Sequence, residues 1–289
     1  MTPTITWTGT LTAASSIAHG GDTRGTITLL RRERVMTEAG DFVFIPIISG
    51  NTLRGRLRRI GEELLRDAVG YEGQLPAPAA HALRGGGALA KSSTEPLSGS
   101  RLQRVRALVP QLGVFGAAAG GTIIGGALDV GKVVPHLAET TRITGAPSKV
   151  SALDAVQLEA YTRQDEADAH DFAPVLDSDA TVTFDADGTP HAHPGSNQML
   201  FHIETFPAGT QFSTWLRLRR PSPLELAFAT DVLDTFTTTG RLGGRVAIGH
   251  GQVHADLTPT PGLPADLPDW RAHVRTHRED ILTALKDLA

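Results

Sequence analysis

Two segments of the chain carry chemistry suited to a polyanion. The first reads Ile47-Ile48-Ser49-Gly50-Asn51-Thr52-Leu53-Arg54-Gly55-Arg56-Leu57-Arg58, a strand that runs through a Gly-containing turn into a helix start. First-turn amides of a helix have no partner within it, and the positive end of the helix dipole favours a phosphate. Ser49, Gly50 and Asn51 make the turn, and Ser49 or Asn51 can cap the helix by accepting a bond from an orphan amide. Arg54 and Arg58 are four residues apart and so share a helical face. Arg56 adds another guanidinium, and arginine can hold phosphate bidentately. The same pattern also describes a solvated basic helix face.

The second segment is Gly240-Arg241-Leu242-Gly243-Gly244-Arg245-Val246-Ala247-Ile248-Gly249-His250-Gly251. Glycines at this density permit backbone dihedrals and close approaches that side chains forbid. Amides around Gly243 and Gly244 can form an anion-binding concavity, with Arg241, Arg245 and His250 supplying charge or donors. The loop follows a helix and precedes a strand, the reverse of a dinucleotide-binding fingerprint. A plain flexible loop is the competing reading. Arg31 and Arg32 add further cations upstream, and His19 is an early histidine able to act as general acid or base.

Two other patterns are decoys. Gly126 to Val133 nearly spells a phosphate-binding loop, but Val133 stands where Ser or Thr is needed, and Pro135 opposes the helix that must follow. His191, His193 and His202 could suggest a metal, yet no third ligand accompanies the His-Ala-His pair and no metal or other cofactor is expected. Trp215, Arg217 and Arg219 share one face of a strand and could stack and pair with bases, or pack beneath a neighbouring segment.

The 289 residues suit one large domain or a domain with a sizeable insertion; 40% are hydrophobic and 20% charged. There is no cysteine, which excludes disulfides and cysteine-based zinc and points to the cytoplasm. No basic stretch followed by an apolar run opens the chain, and no apolar stretch is long enough to span a membrane. The net charge of −4 conceals a polarity. From His19 to Arg59 there are eight Arg against Asp22, Glu33, Glu38 and Asp41, whereas Ala152 to Pro190 holds ten acids and one base, Arg163. A polyanion is drawn to the first region and repelled by the second.

Positioning falls to a small set of elements. Residues 5–13 alternate apolar and Thr and predict a half-buried strand. Phe42 to Ile48 predicts a central strand. Leu53, Leu57, Ile60, Leu64 and Ala68 predict a helix. Gly70 to Lys91 reads as a surface loop, Arg101 to Phe115 as helical or irregular, and Thr122 to Val134 as strand. Met199 to Phe206 and Gln211 to Arg219 read as two strands joined by Pro207-Ala208-Gly209. Ser222 to Glu225 is a capping box opening a helix to about Thr238, followed by a strand over Gln252 to Leu257. A final helix from Asp269 should bury Trp270, Val274, Ile281, Leu285 and Leu288. This order predicts an α+β, RRM- or ferredoxin-like core with a large middle insertion.

The basic helix start and the Gly-rich loop, in this order, resemble the RAMP superfamily. Leu112-Gly113-Val114-Phe115-Gly116 with the following Gly125 to Val130 is similar to the Leu-Phe-Gly element of CRISPR backbone subunits, and Glu204 to Phe212 to their Pro-Ala-Gly-Thr hairpin. Within that superfamily the chain most resembles the Type IV backbone subunit of a class 1 effector complex. The resemblance implies a palm over 1–134 and 195–257 with an excursion at 70–115, a thumb and acidic insertion over 135–194, and a helical extension over 258–289. It implies a protruding β-hairpin thumb within Pro135 to Pro174, where Arg142 and Lys149 are the available bases. It also implies CRISPR guide RNA as ligand, further copies of itself stacked in a filament, other effector subunits, and a target nucleic acid met by guide pairing. Type III backbone subunits that cut their target carry an Asp after the first strand. Thr28 to Arg34 offers Arg31 and Arg32 there, with Glu33 and Asp22 nearby, so no cleavage is expected. The alternatives are a RAMP endoribonuclease that processes CRISPR transcripts with His19 as general acid or base, and a Type III-like backbone subunit that cuts its target RNA.

Overall fold

The structure, a computed structural model, describes residues 2–87, 99–119, 122–163, 183–184, 190–191 and 199–288. Its central sheet contains β1 (Ile5–Ala13), β8 (Leu128–Val130), β14 (Gln211–Leu218) and β15 (Val253–Thr260), in the spatial order β15-β1-β14-β8. Helix α1 (Gly50–Val69) follows β1, and α6 (Pro223–Thr239) follows β14. Strand-helix-strand-strand-helix-strand with the strands ordered 4-1-3-2 is the ferredoxin-like arrangement the sequence predicts.

Alternation explains which face is covered. Ile5, Trp7 and Leu11 of β1 and Phe212, Leu216 and Leu218 of β14 are buried. They meet the apolar stripe of α1 (Leu53, Leu57, Ile60 and Leu65) and of α6 (Leu226, Phe228, Val232 and Phe236) in one core. Each fully buried Leu or Phe contributes about 1.5–3 kcal/mol. Edge-on ring pairs Phe206–Phe212 at 5.0 Å and Phe228–Trp270 at 4.9 Å add to this. The C-terminal helix is broken in two, α7 (Trp270–Thr276) and α8 (Arg278–Lys286), and the five residues expected to be buried there are buried in the same core.

Other elements depart from the sequence reading. Phe42 to Ile48 is not a central strand: β5 (Phe42–Pro46) pairs with β4 (Arg32–Met36) in a two-stranded sheet, leaving Phe42 and Phe44 exposed by 52% and 66%. A continuous apolar run does not distinguish a central strand from an edge strand. Here Ile45 packs in a small cluster with Leu137 and Ala155, while Phe42 is covered by the Arg34 guanidinium at 3.9 Å. The expected loop after Gly70 contains α2 (Ala77–Arg84), which buries Ala79, Ala82 and Leu83. Its Pro78 is a helix-start residue rather than a loop marker; residues 88–91 of that stretch lie outside the described residues. Arg101 to Phe115 resolves into α3 (Gly99–Leu108) and α4 (Pro110–Phe115). The strand expected over Thr122 to Val134 is cut at Gly125, Gly126 and Gly131 into β7 (Thr122–Ile124), β8 and β9 (Val134–Pro135).

A second sheet runs β10-β13-β3-β2, from β2 (Gly20–Arg24), β3 (Ile27–Leu30), β10 (Gln157–Arg163) and β13 (Met199–Thr205). β10 pairs antiparallel with β13 along seven residues, the two strands bracketing residues 164–198. Residues 138–144, at the start of the segment expected to hold the thumb, form a 3-10 turn and the short helix α5 (Thr141–Thr144). Arg142 lies on α5 and Lys149 on the loop after it, both exposed. The rest of the expected thumb, residues 164–174, and most of the acidic stretch beyond it lie outside the described residues, as does His193. Among the described residues no helix is long and apolar enough to cross a membrane.

Candidate nucleic-acid interface

The helix start and the glycine loop meet. Ser49 caps α1, its side chain accepting from the Thr52 amide at 3.3 Å. Gly50 admits no side chain, since a Cβ there would lie 2.8 Å from the Val130 carbonyl oxygen. The Ser49 amide donates to His19 Nε2 at 3.2 Å. Burial, then the nearby Arg31, lower the pKa of His19 and favour the neutral ring that this acceptor role requires. On the other side, α6 ends at Gly240 in the left-handed conformation, and the following loop is stitched to the chain just beyond β1. Gly244 donates to the Ala18 carbonyl and Gly251 to the Ser16 carbonyl, each at 2.8 Å. Gly243 has φ 90°, and a Cβ there would come within 2.5 Å of the Ala18 oxygen.

Because residues 16–19 contact both the loop and the start of α1, the two walls enclose a cleft of about 440 Å³. It is lined by Thr52, Arg56, Arg59, Thr239, Arg241, Gly243 and Val246. Arg59 and Arg241 are exposed and Arg56 half-buried, and none of the three forms an ion pair among the described residues. Burial lowers the pKa of Arg56; Glu63 opposes this, while Arg59, Arg241 and Arg84 add to it. Among the described residues its Nε is buried without a hydrogen-bond partner. Unpaired like charges around one hollow are relieved by an anion entering it.

Beside the cleft stands an aromatic platform. Tyr161 of β10 faces Phe201 of β13 across the ladder, with rings stacked at 5.5 Å. Arg245, at φ 56°, sets its guanidinium 5.7 Å from the Tyr161 ring centre and 5.0 Å from that of Phe201. His250 lies beneath, 4% exposed. Its Nδ1 pairs with the Ser16 hydroxyl at 2.9 Å and its Nε2 with the Tyr161 hydroxyl. Tyr161 donates to Glu159 at 2.9 Å. Burial raises the Glu159 pKa, but bonds from Thr205, Tyr161, Ser16 and Gln157 outweigh it and hold the carboxyl at about 2. His250 therefore anchors the platform from inside and presents no free donor at its surface.

Of the residues singled out from sequence, Arg56, Arg241 and Gly243 line the cleft, and Ser49, Gly50 and Gly244 shape its walls. Asn51 is exposed on the first turn of α1. Arg54 and Arg58 need correction. Arg58 is 8% exposed and donates to the carbonyls of Phe115 at 2.6 Å and Gly116 at 2.7 Å. Arg54 donates to Phe115 O at 2.8 Å and also to Leu128 O. These two face the protein and bind the Leu-Phe-Gly element to α1. Burial, then Arg54, pushes the pKa of Arg58 down to about 10. Arg32 is likewise committed, forking onto Glu204 at 2.7 and 2.9 Å. Arg31 is exposed, lining a separate hollow with Arg24. The glycine loop is no open concavity either, because the Gly244 and Gly251 amides are bound to backbone. Sequence reasoning passed over Arg59, one helical step from Arg56, and the Tyr161–Phe201 pair, whose only signal is an aromatic in each of two pairing strands.

A scan against protein-family models gives no match, and neither does a search of curated proteins. Among solved structures, a chain from a Type IV-B CRISPR complex is similar to this one at 33% sequence identity. The match covers 92% of this chain and 94% of that chain, with a TM-score of 0.62.

Proposed function

This chain belongs to the family of that Type IV-B CRISPR complex protein, and on that premise we propose that it is an RNA-binding backbone subunit of a CRISPR effector complex. In this reading the Arg56–Arg59–Arg241 cleft takes phosphates of the guide strand, and Tyr161, Phe201 and Arg245 supply a platform for a base. Further copies stack along the same strand, and the target is met by pairing with the guide. The observation that carries the reading is that a helix start and a loop nearly two hundred residues apart enclose one cleft bearing three guanidiniums that form no ion pair among the described residues.

Binding without cleavage is the version the side chains favour. The lone pair of His19 Nε2 is occupied by the Ser49 amide, which leaves it poorly placed as the base of an endoribonuclease. Glu33 is paired with Lys132. The test is co-expression with a guide RNA, followed by size and the ratio of absorbance at 260 and 280 nm. A nucleoprotein whose size grows with RNA length is expected. Recovery of a nucleic-acid-free monomer would overturn the proposal. So would metal-independent, site-specific cutting of a hairpin repeat RNA that is lost in His19→Ala.

A further inference from the structure

A second group of cations gathers at the other end of the central sheet. Where β14 runs out, Arg217, Arg219 and Arg220 join Arg106 of α3 around Thr4, Gly125 and Gly126, lining a hollow of about 660 Å³. Arg219 reaches Asp129 at 3.0 Å and Arg106 reaches Glu225 at 3.7 Å. Arg217 and Arg220 form no ion pair among the described residues, so the hollow carries net positive charge. Arg220 has φ 41°, a conformation disfavoured for any residue with a Cβ. The one other described non-glycine residue with positive φ is Arg245 of the platform. Thr4 precedes β1, and Ala18, bound to the glycine loop, follows it. The nine residues of β1 separate its ends by roughly 26 Å, so this hollow is not the guide cleft.

Next to it the chemistry changes. The Arg217 guanidinium lies 5.2 Å from the ring centre of Trp215, which is 40% exposed, while Trp7 and Trp270 are 3% exposed. On β14, Trp215 and Arg217 alternate with the buried Thr214, Leu216 and Leu218, so they stand on the face turned away from α1 and α6. Trp215 also lines a mainly apolar hollow of about 500 Å³ with Val130, Val134 and Ile143, alongside Lys132 and several Ser and Thr side chains.

We propose that this face is a second binding site for single-stranded nucleic acid. Trp215 stacks on a base, and Arg217, Arg219 and Arg220 take the flanking phosphates. A nucleotide is an anion joined to a flat apolar plane. Cations alone would suit any anion, and an apolar hollow alone would suit a protein, but here the two abut at Arg217. Every base has a π-face, so the site has no sequence preference. The strand is either the continuation of the one in the guide cleft or a separate one, since both present the same phosphodiester and bases.

The experiment is a titration of the whole protein with single-stranded oligonucleotides, followed by tryptophan fluorescence, which reports on Trp215 because the other two tryptophans are buried. A short oligothymidylate should quench it. Quenching should persist in the Arg56→Ala, Arg59→Ala, Arg241→Ala variant even if guide binding fails, which separates this inference from the proposed function. The Arg217→Ala, Arg219→Ala, Arg220→Ala variant should bind about tenfold more weakly, with a salt slope shallower by about 2. Should that variant not fold, the single exposed change Arg217→Glu serves. Two short oligonucleotides bound per chain would indicate a separate strand. One long oligonucleotide occupying both sites would indicate a continuous one. Absence of quenching, quenching untouched by the arginine changes, or equal quenching by polyglutamate would each overturn the proposal, the last in favour of an acidic protein segment.

Discussion

Replacing Arg56, Arg59 and Arg241 together by Ala should flatten the salt dependence of RNA binding. Each phosphate neutralised on a single strand contributes about −0.7 to the slope of log affinity against log salt. Three guanidiniums that form no ion pair among the described residues line the cleft, so the slope should fall in magnitude by about 2. Between 50 and 200 mM salt those contacts alone account for roughly a 20-fold loss of affinity, and the variant should lack that part of the loss. The assay is fluorescence anisotropy with an end-labelled, unstructured RNA at several salt concentrations, repeated with a second sequence. Phosphate contacts carry no sequence information, so both sequences should weaken alike. The Arg54→Ala, Arg58→Ala variant is the control, because those side chains face the carbonyls of Phe115, Gly116 and Leu128 rather than solvent. Any folded fraction of it should keep the wild-type slope. An unchanged slope in the triple variant, or an equal drop in the control, would refute the assignment of these arginines.

Arg58→Met should lower stability by about 2–3 kcal/mol, because the buried Gly116 carbonyl loses its charged donor while Phe115 O keeps Arg54. A thermal melt should fall by several degrees, and an unchanged midpoint would contradict the structural role. Glu159, held at about 2 by its hydrogen bonds, should contribute stability that is present above its ordinary value of about 4.3 and is lost as the pH falls toward 2. Glu159→Gln should therefore melt below the wild type at pH 6, with the gap closing between pH 4 and pH 2. A gap of constant size across that range would show that the carboxylate form is not what the network stabilises.

Much of the core was legible because its signals are local. The Thr alternation over residues 5–13, the stripe on α1 and the capping box at Ser222 each lie within one element, and all three formed where periodicity places them. Where the reading failed, the deciding partner lay outside the segment itself. The run Phe42 to Ile48 is apolar enough for a central strand, but only its pairing with β4 shows it to be an edge. The Ala- and Pro-rich stretch after Gly70 reads as loop until Ala79, Ala82 and Leu83 find the core to bury in.

The arginines of α1 show the same limit at the site itself. Spacing of i and i+4 puts Arg54 and Arg58 on one face, yet says nothing of what that face meets. Here it meets the carbonyls of Phe115 and Gly116, more than fifty residues further along the chain. The basic helix start and the Leu-Phe-Gly element, which the sequence presents as two separate motifs, are two halves of one contact. Arg56 and Arg59 are on another side of the helix, and they become a candidate phosphate grip only because His19 ties the Ser49 turn to the stretch that also anchors the glycine loop. A charge count over the segment includes all four arginines alike. What separates a structural arginine from a binding one is whether a carbonyl already occupies its donors, and that depends on the tertiary fold.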